Sequence, residues 1–147
     1  MAAELRLATP DDADAIAEVF TASRRLLDFL PQLHTPEEDR GFIRGHIMPR
    51  YRVTVAIRDG GIIGFLSDEP GWIEHLYIAP GALGSGIGSA LLADAKARNI
   101  ALELWCFEEN HRARRFYERH GFVEAERTDG RNNEERCPDI RLRWLGS

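Results

Sequence analysis

Three glycines at alternate positions form the feature of this sequence with the clearest chemical use. They lie in the segment Gly84-Ser85-Gly86-Ile87-Gly88, between a β-rich segment and a helical one. Glycines at this spacing let the main chain turn tightly and point its amide N–H groups outward, and the positive end of the following helix attracts anions. The pattern predicts a turn that binds a pyrophosphate, although a glycine-rich turn without a ligand has the same pattern.

Two other phosphate-binding motifs do not match this segment. A dinucleotide-binding fold has GxGxxG after its first strand and an acidic residue about 20 positions later. A P-loop requires Gly-Lys-Ser/Thr at the start of the helix, whereas the sole lysine of this chain is Lys96. The segment is therefore neither a Rossmann fingerprint nor a P-loop.

A second motif follows the glycine turn. Asn110, Ala113 and Tyr117 share one face of a predicted helix that ends before Gly121. With this pattern, Asn-x-x-Ala-x-x-Phe-Tyr-x-x-x-Gly-Phe, and with Leu-x-Ile-x-Pro over residues 76–80, the chain resembles the GNAT N-acetyltransferase superfamily. The resemblance is strongest from residue 72 to residue 124.

The resemblance implies a fold. It implies a single acetyltransferase domain over residues 1–147, of the α+β class, with a mixed, mostly antiparallel central sheet flanked by helices. It also implies a V-shaped split between two central parallel strands, one ending at Pro80 and the other lying around residues 102–107.

The resemblance also implies that acetyl-CoA lies in this split as the acyl donor. Main-chain groups of residues 76–78 would align the pantetheine and acetyl groups, the glycine turn would hold the pyrophosphate, and Asn110 would reach the pantetheine. Leu83 stands where the family commonly has arginine or glutamine, so we expect Arg112 or Arg115 to assist. The full expected set is Leu76, Tyr77, Ile78, Leu83, Gly84, Ser85, Gly86, Ile87, Gly88, Ser89, Asn110, Ala113, Phe116 and Tyr117.

Two residues are candidates for the chemistry that the resemblance implies, a direct attack of an amine on the thioester. Tyr117 matches the family's frequent general-acid tyrosine, with a packed helix residue as the alternative. Glu74 interrupts a largely apolar strand two residues before Leu76, where the family often has an acidic residue. A carboxylate beside an apolar cleft can accept the amine's proton, but a role in binding a cationic acceptor or in pairing with an arginine is equally open. His75, on the opposite face of the strand, is interpreted as a core or surface histidine.

The acceptor site is expected between the first two helices and the late polar loop. His34, Glu37 and Glu134 are the candidates for holding the amine, and a capped helix start and a solvated loop are the alternatives. The acceptor is expected to be a primary amine of a small molecule or a peptide, and the sequence does not identify it.

Periodicity and capping signals predict the strands and helices that carry these residues. Strands are predicted at 4–8, 52–57, 62–66, 72–78, 100–107, from 122, and at 140–144, and helices after Pro10, from Thr35 to Pro49, after Gly88, and at 110–120. The last strand, at 140–144, is a candidate sheet edge at which two copies could form a homodimer.

Composition limits the alternatives. The formal net charge of −5 argues against a general nucleic-acid binder. Neither an apolar run of the roughly 20 residues that a membrane span requires nor a signal sequence is evident, so we expect a cytoplasmic protein without a membrane partner. Cys106 and Cys137 are interpreted as reduced thiols, and no metal is expected.

Two alternatives to an acetyl-CoA-dependent enzyme stay open. One is a transferase that uses a longer acyl-CoA. The other is a CoA-binding regulatory or interaction module with little or no turnover, which Leu83 favours slightly, whereas the presence of both Glu74 and Tyr117 favours the enzyme.

Overall fold

One mixed sheet of seven strands organises the computed structural model, which describes residues 3–146. The strands are β1 (Glu4–Leu7), β2 (Arg52–Arg58), β3 (Gly61–Glu69), β4 (Trp72–Ile78), β5 (Leu102–Phe107), β6 (Val123–Thr128) and β7 (Asp139–Trp144). Their order across the sheet is β1-β2-β3-β4-β5-β7-β6, and β4 and β5 are the parallel neighbours in an otherwise antiparallel arrangement. The expected fold class is confirmed.

Helices cover both faces of this sheet. They are α1 (Ala13–Arg25), α2 (Pro36–Phe42), α3 (Met48–Arg50), α4 (Ile87–Ala97) and α5 (His111–Arg119). The apolar stripe of α1 packs with a π-helical segment (Ile43–Ile47) and with β2 and β3 in one core cluster. Helix α4 packs with β5 and β7 in a second cluster. Each cluster buries one face of the sheet, as an α+β arrangement requires.

The helix between residues 36 and 50 is not a continuous α-helix. Residues Ile43–Ile47 form a π-helical segment, which periodicity did not predict, and α3 follows it. Thr35 caps α2 because its side chain accepts a hydrogen bond from Glu38 N at 3.1 Å, as its sequence position predicted. The π-helical segment buries Ile43 and Ile47 and leaves His46 exposed.

The parallel strands β4 and β5 separate after their first residues. They pair through Trp72 and Glu103, and the Glu103 N–H donates to the carbonyl oxygen of Gly71 at 3.0 Å. Beyond this point the ladder does not continue, so the rest of β4 keeps only β3 as a hydrogen-bonded neighbour. This is the V-shaped split that the resemblance implied.

The prediction that the last strand lies at a sheet edge is wrong. β7 lies between β5 and β6, and the edges are β1 and β6. β7 buries Ile140 and Leu142, whereas β6 is mostly exposed, and the long connection between them lets the chain return into the inner position. An amphipathic strand has the same alternation at an edge and inside a sheet, so the pattern could not decide its place.

Candidate functional site

Two adjacent cavities lie where α1 crosses the open end of β4. The split cavity, of about 600 Å³, lies between β4, the glycine turn and α5, and the helix cavity, of about 630 Å³, lies between α1, the α1–α2 connection and α2. Leu27 lines both cavities. They also meet where Arg24 Nη1 of the helix cavity donates to the Tyr77 hydroxyl of the split cavity at 3.2 Å.

The split cavity brings together nearly all residues expected at the acyl donor. Ser85 is the exception, since it is exposed and its hydroxyl donates to the carbonyl oxygen of Ala82 within the turn. The expected residues that line the cavity are Leu76, Tyr77, Ile78, Leu83, Gly84, Gly86, Ile87, Gly88, Ser89, Asn110, Ala113, Phe116 and Tyr117.

The three glycines of the turn serve two different purposes. Gly84 and Gly86 have φ values of 79° and 83°, in the left-handed region that other residues rarely adopt. Gly88 has no such φ, but a Cβ atom there would lie 3.3 Å from the ring of Phe116. Conformation therefore requires the first two glycines, and the close packing of α4 on α5 requires the third.

The turn offers main-chain donors at the N-terminus of α4. The intrahelical hydrogen bonds begin with Ala90 N donating to the carbonyl oxygen of Gly86 at 3.1 Å, so the N–H groups of residues 87–89 have no partner within the helix. The Ser89 hydroxyl hydrogen-bonds His120 Nε2 at 3.1 Å. Free amides, rather than serine hydroxyls, are thus the groups that the turn presents to an anion.

An arginine lies beside the glycine turn, where an arginine was expected to assist CoA binding in the absence of one at position 83. Arg112 lines the split cavity, and its Nη2 atom lies 3.9 Å from the position that a Cβ atom of Gly84 would occupy. Arg115 does not line either cavity. Of the two arginines proposed to compensate for Leu83, the structure brings Arg112 to the turn.

The N–H and C=O groups of alternate residues in β4 point into the split. Ala79 N donates to the carbonyl oxygen of Ile63 in β3 at 2.8 Å, so the preceding carbonyl, of Ile78, points to the opposite side. There it accepts a hydrogen bond from Ser23 Oγ of α1 at 2.9 Å. By the same alternation, the N–H groups of Leu76 and Ile78 point into the split and find no strand partner there.

Tyr117 lies at the inner end of the split cavity with 7% of its surface exposed. Its ring packs against Phe116 and Phe122, with centroids 5.2 and 5.3 Å away. Burial, and secondarily the neighbouring Cys106 and Tyr77, raise the pKa of Tyr117. Its phenol is therefore neutral at physiological pH and can donate a hydrogen bond into the cavity.

Asn110 has a local role in addition to its place in the cavity. It is the N-cap of α5, where its Oδ1 atom accepts a hydrogen bond from Ala113 N at 3.2 Å. The cap fixes the start of the helix that carries Phe116 and Tyr117. Its remaining polar group, the side-chain amide N–H₂, is the one available to a ligand.

The structure does not bring Glu74 to Tyr117. β4 contains a bulge, in which Ser67 pairs with His75 and Asp68 with Ile73, so that Glu74 has no register partner. Glu74 is exposed, accepts a hydrogen bond from Trp72 Nε1 at 2.9 Å, and lines neither cavity. An uninterrupted alternation would have placed it on the face of Leu76, and the bulge removes it from there.

Of the three residues expected at the acceptor, two lie together. His34 Nε2 and Glu134 Oε1 are 2.6 Å apart, joining the α1–α2 connection to the β6–β7 loop at the helix cavity. The next residue of that loop, Glu135, accepts from Arg24 Nη2 at 2.8 Å. Glu37 is exposed and lines neither cavity.

Three functional candidates were not found from sequence. Ser23 and Asp39 carry no local signal beyond being polar residues in helical segments. His75 was interpreted as a core or surface residue and is indeed packed among Phe20, Phe42 and other rings, but it also lines the helix cavity. Burial lowers its pKa to about 3, with a further contribution from Arg24, so the imidazole is neutral at physiological pH.

Neither cysteine forms a disulfide, and burial raises the pKa of Cys106 to about 12. Such a thiol stays protonated at neutral pH and is a poor nucleophile. Within residues 3–146, no group of three or more histidine, cysteine or acidic side chains is arranged to hold a metal ion. None of the helices in that range has the length and apolarity that a bilayer crossing requires.

Comparisons with known proteins agree with this geometry. The model of the acetyltransferase (GNAT) domain matches residues 49–124. An uncharacterized N-acetyltransferase from Archaeoglobus fulgidus is 32% identical over an alignment of 133 residues, which covers 78% of this chain and 88% of the archaeal protein.

Solved structures show the same fold. The apo form of YjaB from Escherichia coli superposes with a TM-score of 0.82 at 21% identity, covering 100% of both chains. PaiA N-acetyltransferase from Thermoplasma acidophilum, in complex with coenzyme A, has a TM-score of 0.72 at 19% identity and covers 99% of both chains. With the family model over half of the sequence and the archaeal relative over most of it, the chain belongs to the GNAT acetyltransferase family.

Proposed function

We propose that this protein is an N-acetyltransferase that transfers an acetyl group from acetyl-CoA directly to a primary amine. The observation that carries the proposal is the split cavity, which is lined by β4 residues with unpaired main-chain donors, by the glycine turn and by Tyr117. An acyl thioester on a pyrophosphate-bearing arm has both a polar end and a reactive end, and the cavity offers complementary groups to each.

The chain's own groups support each part of the donor. The free N–H groups of residues 87–89 and the Arg112 guanidinium bind the pyrophosphate. The N–H of Leu76 or Ile78 donates to the thioester carbonyl, which polarises it toward attack. Tyr117 donates a hydrogen bond to the sulfur as the carbon–sulfur bond breaks.

The acceptor enters from the helix cavity. Its neutral nitrogen attacks the carbonyl carbon, the new carbon–nitrogen bond forms, and the thiolate leaves. The nitrogen loses one proton to solvent, and the thiolate, which accepts a hydrogen bond from the Tyr117 hydroxyl, takes up one proton from solvent. The proposal gives Glu74 no part in this transfer, since it lines neither cavity.

The test is thiol release from acetyl-CoA over a panel of primary amines, with mass spectrometry of the product. We expect one thiol and one N-acetylated product per turnover. Tight CoA binding without turnover on any amine would replace the proposal by the CoA-binding module. Faster turnover with a longer acyl-CoA than with acetyl-CoA would replace it by a transferase of longer acyl groups.

A further inference from the structure

The helix cavity contains a buried carboxylate that the described chain does not neutralise. Asp39 is 9% exposed and lines the cavity. Its Oδ2 atom accepts a hydrogen bond from Thr21 Oγ1 at 2.6 Å. Its Oδ1 atom has no hydrogen-bond partner, and the side chain forms no ion pair, within residues 3–146.

Two ion pairs and a helix cap engage five of the other ionisable groups around the cavity. Arg24 is held by Glu135 at 2.8 Å, and His34 is held by Glu134 at 2.6 Å. Glu38 accepts from Thr35 N at 2.8 Å as part of the helix cap. Glu38 is exposed and has no arginine or lysine partner within residues 3–146, whereas Asp39 is the buried carboxylate of the cavity without one.

Two further charges, Arg25 and Asp28, line the cavity from exposed positions. Water and salt screen an exposed charge, whereas a buried one keeps most of its field. The inner end of the cavity is therefore negative, and Arg25 at the exterior does not reverse it. The position of Asp39 in the first turn of α2 lets the helix dipole stabilise the carboxylate in the free protein.

The walls beside Asp39 suit a cation as well. Phe42 packs against His75 and His46 with ring centroids 6.0 and 5.8 Å away, and all three line the cavity. Aromatic faces attract cations. The buried His75 is neutral and adds no opposing charge. The face of Phe20 is already covered by the Arg24 guanidinium, at 5.4 Å from the ring centroid.

We propose that the helix cavity binds a second cationic group of the acceptor, so that the substrates are diamines or polyamines with one amine acetylated and another held by Asp39. This inference rests on the proposed function for the acetylated amine. The binding of the second amine is inferred from the buried, unpaired carboxylate of Asp39 and the aromatic rings around it. A hydrogen-bonded ion pair at such a site strengthens binding by about ten- to hundredfold.

The first test compares acceptors that differ only at the far end. Linear α,ω-diaminoalkanes of increasing length are each compared with the n-alkylamine and the ω-amino acid of the same length. We expect kcat/KM for the best diamine to exceed that of its monoamine by at least about tenfold, with the amino acid the poorest. Equal rates for diamine and monoamine, or a preference for the amino acid, would overturn the proposal.

The second test removes the charge of Asp39. Asp39→Asn keeps the size and the hydrogen bond with Thr21, and Glu18→Gln on the exposed face of α1 is the matched control for the loss of one charge. We expect Asp39→Asn to abolish the advantage of the diamine while the monoamine rate is kept, and Glu18→Gln to leave both unchanged. An equal loss for both acceptors in a folded Asp39→Asn protein would contradict a role in recognition.

Calorimetric titration of the diamine into the protein saturated with CoA separates the two proposals. If no amine is acetylated but the diamine binds and Asp39→Asn weakens that binding at least about tenfold, the proposed function fails and the cation site stands. If the diamine binds no better than the monoamine, the cation site fails, whatever the turnover. The comparison within the wild-type protein does not depend on whether the variant folds.

Discussion

At the scale of single residues, the site combines groups whose surroundings decide what they can do. Tyr117 is buried, which raises its pKa and makes the phenol a weaker proton donor but a persistent hydrogen-bond donor. A thiol leaving group, with an ordinary pKa of about 8.5, needs only modest help to depart. In the proposed reaction we therefore expect the tyrosine to contribute about one hydrogen bond to the transition state rather than a large acid-catalytic factor.

Tyr117→Phe is expected to lower kcat by about fivefold, the equivalent of one hydrogen bond of roughly 1 kcal/mol. A free tyrosine has a pKa of about 10, and burial raises that of Tyr117 further, so the phenol stays protonated through about pH 9. The variant should therefore change the height of the pH–rate profile between about pH 7 and 9 and not its shape. An alkaline fall in wild-type rate that disappears in the variant would show that Tyr117 ionises in this range.

Arg112→Gln is expected to raise the Kd of CoA by about tenfold, since one charge-assisted contact with the pyrophosphate is lost. The exposed Arg115→Gln, on the same helix, is the control and should leave the Kd nearly unchanged. Isothermal titration at two salt concentrations measures both, and the effect of Arg112 should shrink at high salt. A larger increase in Kd for Arg115→Gln than for Arg112→Gln would show that Arg115 is the arginine that compensates for Leu83.

At the scale of elements, the position of α4 matters because its N-terminus forms the proposed pyrophosphate site. The residue that follows this helix, Arg98, donates to Asp68 of β3 at 2.8 Å, and Asp68 is only 2% exposed. Arg98 also pairs with the partly exposed Asp94 one turn earlier. The C-terminus of α4 is thus attached to the sheet by the ion pair of Arg98 with the buried Asp68. The N-terminus keeps its free amide groups available to an anion.

Arg98→Met is expected to destabilise the protein by about 3 kcal/mol, because it leaves the Asp68 carboxylate buried without a cation. Asp94→Asn removes only the exposed partner of the same guanidinium and should cost about 0.5 kcal/mol. Urea unfolding followed by circular dichroism measures both. Equal losses of unfolding free energy would mean that the pair of Arg98 with Asp68 stabilises the protein no more than its pair with Asp94.

At the scale of the whole molecule, the split is an incomplete part of the sheet that a ligand can complete. Unpaired main-chain donors in a buried cleft are costly, and a bound arm that accepts from them offsets this cost. Binding to the native state alone also stabilises it by mass action. CoA should therefore change both global stability and the protection of specific amides.

CoA at about 100 times its Kd is expected to add about 2.7 kcal/mol to the free energy of unfolding. For a chain of 147 residues this raises Tm by roughly 5–10 °C. Hydrogen exchange supplies an internal control, since the amides of Leu76 and Ile78 face the split and that of Tyr77 faces β3. Slower exchange at all three amides alike would point to global stabilisation without contact at the split.

Local patterns in the sequence were enough to predict several parts of the protein. The glycine turn, the motif from Asn110 to Phe122, the cap at Thr35 and the strand over residues 72–78 lie where they were predicted. Each depends on residues a few positions apart, through helical or strand periodicity and capping. The same motifs identified the family, and with it the α+β sheet and its split.

Other features depend on contacts between residues that are distant in the sequence, and these became visible only in the folded chain. The inner place of β7 and the bulge at Glu74 are matters of strand pairing, which an alternating pattern does not specify. The contact of Arg24 with Glu135 spans 111 positions. The buried, unpaired state of Asp39 likewise exists only once α1 and α2 pack together. Burial and pairing are properties of the assembled chain, so the expected position of the acceptor site followed from the sequence, whereas the burial and pairing of its carboxylates did not.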